Sequence, residues 1–216
     1  KAQALSESPV SASNTPEPHV PDAQVVKEDG FVDGCLGLTP KWEVCRLPGN
    51  APLFPEKTAS LILAGGNENQ IRAIGQLYPN ARPLMISPGD TPEQMADILR
   101  ESLPLDHLIW IAPKASGTLD FETLATDQEK GVLALFRLVK AVLSLGYGVR
   151  DMGWTLITFG SQPVTAKDPV DPTHAAVHGL AGSLAKEYPH WRVRLLDMEA
   201  GADIPVREVF RTPAHS

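Results

Sequence analysis

The chain has 216 residues, 43% hydrophobic and 21% charged, with a formal net charge of −7, which is enough apolar material for one globular core and too little charge for a disordered chain. The acidic balance and the lack of any dense Lys/Arg run argue against nucleic acid and anionic lipid as partners; no apolar segment has the length of a membrane span or the form of a signal peptide. With only Cys35 and Cys45, nothing points to export or an oxidising compartment, so the expectation is a cytoplasmic protein with two ordinary thiols; a disulfide between them is conceivable, and two thiols alone hold a metal poorly.

Residues 1–30, "KAQALSESPVSASNTPEPHVPDAQVVKEDG", are rich in Ser, Pro and Ala with no sustained apolar period, and read as a flexible linker. From Phe31 onward a folded unit is expected, running to residue 216. It begins with isolated bulky residues among Gly and Pro, where "GLTPKWEVCRLP" alternates well enough for an edge strand laying Trp42 on the main body. After Pro55 strands and helices alternate. The apolar runs at 59–65, 82–87, 106–113, 154–160 and 191–198 are short, aliphatic and mostly not cleanly alternating, as strands buried on both faces should be. Helices are expected at 69–77, at 91–103 behind the capping sequence "TPEQ", at 127–145 with Val132, Leu135, Phe136, Val139, Val142 and Leu143 on one stripe, and at 171–187. This order predicts an α/β fold: a truncated Rossmann-like parallel sheet flanked by helices.

The stretch "ILAGGNENQIRAIG" opens like a dinucleotide site, in which one glycine makes a tight turn, a second admits the pyrophosphate and a third lets helix and strand pack. Here Gly65 and Gly66 are followed by Asn67, Glu68, Asn69, Gln70 and Ile71. Side chains therefore stand where phosphate oxygens would lie, and the Glu68 carboxylate competes with an anion for the helix start. The second strand ends at Ser87 and Pro88, without a base for a 2′-phosphate or an early acid for a ribose.

Short-chain dehydrogenases place a Ser after a core strand, then a Tyr on the next helix with a Lys one turn on, so that a phenol of lowered pKa protonates the carbonyl oxygen. Ser161 sits where that Ser belongs, but the positions closest to the Tyr and its neighbour hold His174 and His178; Tyr188 and Lys186 lie too far along. The two histidines, spaced i and i+4, share a helix face on this reading. They read most simply as hydrogen-bonded residues near a helix start; a metal pair or catalytic base is the sharper alternative, although no Glu follows His174 as in H-E-x-x-H and no third ligand can be named. Ala175, Ala176, Gly179, Gly182 and Ser183 suit close approach, either to a partner helix or to the chain's own sheet. Ser161 is most simply a strand-end cap, and Trp110 and Trp154 are core residues.

Taken together, from about Leu38 to Phe210, the chain resembles the N-terminal structural subdomain of ketoreductases in modular polyketide synthases, above all through "HAAVHGL" and "AKEYPHWRVRLLD", which are similar to assembly lines whose acyltransferase acts in trans; "TPKWE" resembles their opening strand. The resemblance implies a scaffold that has lost the glycine turn and the Ser/Tyr pair, packed on a second subdomain that binds NADPH and reduces a β-ketoacyl group on an acyl carrier protein. That second subdomain is expected to lie beyond "VREVFRTPAHS". No catalytic, cofactor-binding or metal residue carries over to this chain. The implied partners are the adjacent catalytic subdomain, the acyl carrier protein and other synthase domains. Alternatives that stay open are a pseudo-ketoreductase scaffold or docking module beside a methyltransferase or dehydratase, and an atypical self-contained NADP-dependent reductase.

Overall fold

A computed structural model describes residues 42–44, 46, 51–117, 120–165 and 167–212. The chain divides into two units, residues 1–42 and 43–216, and the fold below is that of the second. The linker expected at 1–30 and both cysteines lie outside the described residues. Of the expected opening strand, residues 42–44 and 46 belong to no strand and are exposed, and the remainder lies outside the described residues.

All five expected strands form: β1 Leu61–Gly65, β2 Arg82–Leu84, β3 His107–Ile111, β4 Met152–Phe159 and β5 Trp191–Met198. Every pairing is parallel, in the order β2-β1-β3-β4-β5. The order reverses between β1 and β3, which puts the crevice used by ligands in open α/β sheets at the Gly65 turn. The strands carry two apolar rows. Ile62, Ala64, Leu108, Trp110, Trp154, Leu156, Trp191 and Val193 face one core; Leu61, Leu63, Ile109, Ile111 and Ile157 face the other. Period-two alternation disappears from the text because both sets of side chains leave water.

Helices α1 Glu68–Leu77, α2 Pro92–Arg100, α3 Phe121–Lys130, α4 Val132–Ser144 and α5 Ala176–Glu187 connect these strands, followed by a short α6 Val206–Val209 that the pattern does not announce. The expected cap on α2 is present: Gln94 N donates to Thr91 Oγ1 at 3.3 Å and Thr91 N to Gln94 Oε1 at 2.8 Å. Residues of α2, α4 and α5 fill the first core, while Ile74 and Tyr78 near the end of α1, with Val209 and Phe210, fill the second.

Two expected helices are each divided. The third is α3 and α4, separated at Gly131, where a Cβ would lie 2.7 Å from His174 Nδ1 and 2.9 Å from Asp127 O. Asp120, accepting from Thr123 N at 3.0 Å, starts α3 earlier than the apolar stripe suggested. The fourth is a 3-10 turn, Pro172–His174, ahead of α5. Phe136, expected on the buried stripe of α4, is 47% exposed, whereas Leu138, on the inner face, is fully buried. Leu138→Ala should therefore lower the unfolding free energy by ~2–5 kcal/mol and Phe136→Ala by less than ~1 kcal/mol, as read from urea titrations of both variants.

Candidate functional site

The crevice at the β1 turn is occupied by the chain itself. Gly65 and Gly66 both adopt φ of +77°, and a Cβ on Gly65 would lie 2.3 Å from the Ile111 carbonyl oxygen, so this glycine serves close packing of β1 on β3. A Cβ on Gly66 would meet Ile111 Cδ1 at 2.9 Å and Gln70 Oε1 at 3.2 Å. Asn67 closes a capping box on α1: Gln70 N donates to Asn67 Oδ1 at 3.0 Å and Asn67 N donates to Gln70 Oε1 at 2.9 Å. Two of the amides that a helix start would offer a pyrophosphate are thus already engaged. Glu68 adds a carboxylate in the first turn. The turn does not fit a dinucleotide phosphate.

The second cluster lies at the carboxyl ends of β4 and β5. Thr158 and Asp197 are register partners, and just beyond them Ser161 is buried, 2% exposed. Asp197 Oδ1 accepts from Thr158 Oγ1 at 2.7 Å, Ser161 Oγ at 2.8 Å and Ser161 N at 3.1 Å, and Oδ2 accepts from Gln162 N at 2.9 Å. His178, on α5, places Nε2 2.7 Å from Ser161 Oγ and 3.2 Å from Thr158 Oγ1. A carboxylate can only accept, so both hydroxyl hydrogens point to Asp197. His178 Nε2 must then carry the proton and donate to Ser161. Burial holds the His178 pKa below its ordinary value, partly opposed by Asp197, in keeping with a neutral imidazole.

This trio contains the residue types of a hydrolytic triad with the polarity reversed. An activated serine gives its proton to the imidazole, and the carboxylate orients the far ring nitrogen. Here the serine proton is held by the carboxylate and the imidazole is the donor. The arrangement ties the loop after β4 to β5 and α5.

His174 belongs to the 3-10 turn and not to α5, and it engages a different partner, with Nε2 2.9 Å from Pro113 O. Its Nδ1 is buried without a hydrogen bond. Nearby, Asp127 Oδ2 accepts from Ser116 N at 2.9 Å and Ser116 Oγ at 2.7 Å; burial pushes this carboxyl up, but the Ser116 bonds, with Lys130 and His174, leave its pKa below the ordinary value. Among the described residues no group of three or more His, Cys, Asp or Glu is placed to hold a metal ion. No described helix is long and apolar enough to cross a membrane.

The small residues of α5 do not pack on the chain's own sheet. Ala176, Gly179, Gly182 and Ser183 are exposed and Ala175 is half-buried, while Val177, Ala181 and Leu184 face inward. Sequence reasoning found Ser161 and both histidines but missed Thr158, Asp197, Asp127 and Ser116. A signal existed for Asp197: a carboxylate inside an otherwise apolar strand needs hydrogen-bond donors close by.

No family model matches the chain. It is 43% identical over 188 residues to polyketide synthase PksM of Bacillus subtilis (strain 168), covering 86% of this chain and 4% of that protein. It is 34% identical over 184 residues to polyketide synthase PksN of the same organism, covering 85% of this chain and 3% of the relative. The chain thus spans a small fraction of the length of these relatives. Among solved structures, a keto acid-selecting NRPS module described as an adenylation, ketoreductase and pseudo Asub multidomain structure matches with TM-score 0.65 at 16% identity, over 82% of this chain and 16% of that one. A C2-type ketoreductase from a modular polyketide synthase matches with TM-score 0.51 at 22% identity, over 70% of this chain and 34% of that one. These two likenesses establish the fold.

Two outcomes follow from the geometry. Gly65→Ala, which must hold a left-handed φ and press a methyl on the Ile111 carbonyl, should cost at least ~2 kcal/mol and lower the melting temperature by roughly 4 °C or more. Because the folded-state pKa of His178 lies below the unfolded value near 6.5, the unfolded chain binds more protons at mild acidity. Its contribution is complete above that unfolded value and is lost as pH falls toward the folded pKa. Urea midpoints should therefore fall between about pH 7.5 and pH 5, and His178→Asn should reduce that fall without abolishing it, because the pKa of His107 is lowered as well.

Proposed function

We propose, starting from a chain that belongs to the polyketide synthase family and folds as ketoreductases do, that this unit is a non-catalytic scaffold stabilising an adjacent NADPH-dependent catalytic subdomain, which reduces β-ketoacyl intermediates on an acyl carrier protein. One observation carries the reading: at both places where a short-chain dehydrogenase does its chemistry, the polar groups bond each other. Asn67 and Gln70 close the helix start at the glycine turn, and Asp197 collects the hydroxyls and amides around Ser161. NADPH then belongs to the partner subdomain and not to this chain. The exposed small-residue row of α5 supports a covered face and is the side we assign to that subdomain, with further synthase domains as neighbours; Leu133 and Phe136 of α4 are also exposed.

The decisive test is a fluorescence titration of NADPH into this chain and into a longer chain carrying the proposed catalytic subdomain. Binding by the long chain alone is expected; saturable binding by the short chain would favour the self-contained reductase and overturn the scaffold reading. In the whole module, Ser161→Ala, His174→Ala and His178→Ala should each leave the reduction rate within about threefold of the parent, since a general acid–base group would contribute about 10²–10⁴. A loss of that size from any of them in a folded module would sink the proposal.

A further inference from the structure

On the second face of the sheet a polar row crosses β3, β4 and β5 at residues His107, Thr155 and Arg194, which are 1%, 0% and 4% exposed. Arg194 Nη1 donates to Thr212 O at 2.7 Å, and Nη2 donates to Phe54 O at 2.8 Å and to Thr155 Oγ1 at 2.9 Å. Its guanidinium also lies over the rings of Phe54 and Phe210, at 5.3 and 5.4 Å. Phe54 N donates to Phe210 O at 2.7 Å. One buried cation therefore joins the segment leading into the fold, residues 51–55, to the segment leading out of it, residues 206–212. No salt bridge to Arg194 is found among the described residues, and burial lowers its pKa to about 10, so it remains a cation at neutral pH.

Thr155 sets the state of His107. Its hydroxyl oxygen accepts from Arg194, which has no acceptor of its own, so the hydroxyl hydrogen is free to point at His107 Nε2, 2.8 Å away. His107 is then neutral with its proton on Nδ1. The groups that face it are cationic or neutral: Arg194 and Arg192 from β5, the Phe54 ring edge at 5.1 Å and, from β4, Gly153, where a Cβ would lie 1.9 Å from Nδ1. Tyr78, which caps the end of α1 beside Arg194, donates to Pro55 O at 2.8 Å, and burial raises its pKa to about 12, so it supplies no anion. Asp106, next in the chain, is engaged by Ser60 N at 2.7 Å.

We propose that His107, Thr155 and Arg194 form an acid-sensitive clasp: a proton added to His107 Nε2 sets a second cation on the hydroxyl that Arg194 uses, and the Phe54 and Thr212 carbonyls are released before the sheet unfolds. A protonated ring would leave the Thr155 hydrogen without its acceptor and stand beside two guanidinium groups with no carboxylate between them. Arg194 and the Phe54–Phe210 pair are the bonds that join the two segments to each other, beside Tyr78, which bonds Pro55 O and packs on Phe210; losing the Arg194 bonds loosens these segments ahead of the strands. The device is independent of whether the chain binds a nucleotide.

Amide hydrogen exchange on this chain tests it, with rates corrected for intrinsic pH dependence. The Phe54 amide should exchange about tenfold or more faster at pH 4.5 than at pH 7 while β1 and β3 amides keep their protection. His107→Gln, which can accept from Thr155 but does not titrate, should abolish that acceleration. Equal acceleration in a folded His107→Gln chain, or simultaneous loss of protection in β1, β3 and Phe54, overturns the clasp. Should that variant not fold, ¹⁵N spectra of the wild-type imidazoles decide. An Nδ1–H tautomer at neutral pH, protonating together with the rise in Phe54 exchange, supports it; an Nε2–H tautomer, or protonation that leaves Phe54 exchange unchanged, refutes it.

Discussion

The three central strands β1, β3 and β4 are covered on both faces and leave almost no wet side for a polar group, whereas the edge strand β5 exposes Arg192. Polar side chains buried in the sheet are therefore under pressure to find partners inside the fold, because an unpaired buried dipole or charge is costly, although Trp154 Nε1 and Arg194 Nε have none among the described residues. This constraint organises both ends of the sheet. At the carboxyl ends Asp197 is satisfied by two hydroxyls and two backbone amides. On the second face the two terminal nitrogens of Arg194 are taken by two carbonyls and a hydroxyl, and two aromatic rings lie against the guanidinium, while Nε is buried without a hydrogen bond. Neither is paired with an opposite charge in the ordinary way.

The same constraint separates a scaffold from a catalyst. A catalytic cleft keeps polar groups waiting for substrate, with donors and acceptors left unmatched until it arrives. In this chain the two regions where the fold would place such groups are internally matched. Asn67 and Gln70 bond each other at the turn, and His178 donates to a serine whose proton is directed at a carboxylate. This mutual pairing of polar groups accords with the scaffold reading proposed above.

The arrangement also shows why apparent motif positions mislead. Ser161 occupies the place of a catalytic serine in the order of the chain, yet the chemistry of a hydroxyl follows from where its one hydrogen goes. That depends on Asp197, thirty-six residues away in sequence. Likewise the glycine pair looks like a phosphate turn, but Gly65 has no Cβ because the Ile111 carbonyl stands there.

The strands, their parallel class and the capping box of α2 were determined by the sequence itself, since apolar runs, turn residues and caps act over a few residues and need no distant partner. Tertiary structure alone decided the rest. The close approach of His174 that leaves no room for a side chain at Gly131, the reversed Ser161–His178 polarity set by Asp197, and the lowered pKa of His107, set by burial and then by Arg194 and Arg192, are of this kind. Each joins residues far apart in the chain, and a hydrogen-bond direction or a steric contact exists only once the sheet register has brought its partners together.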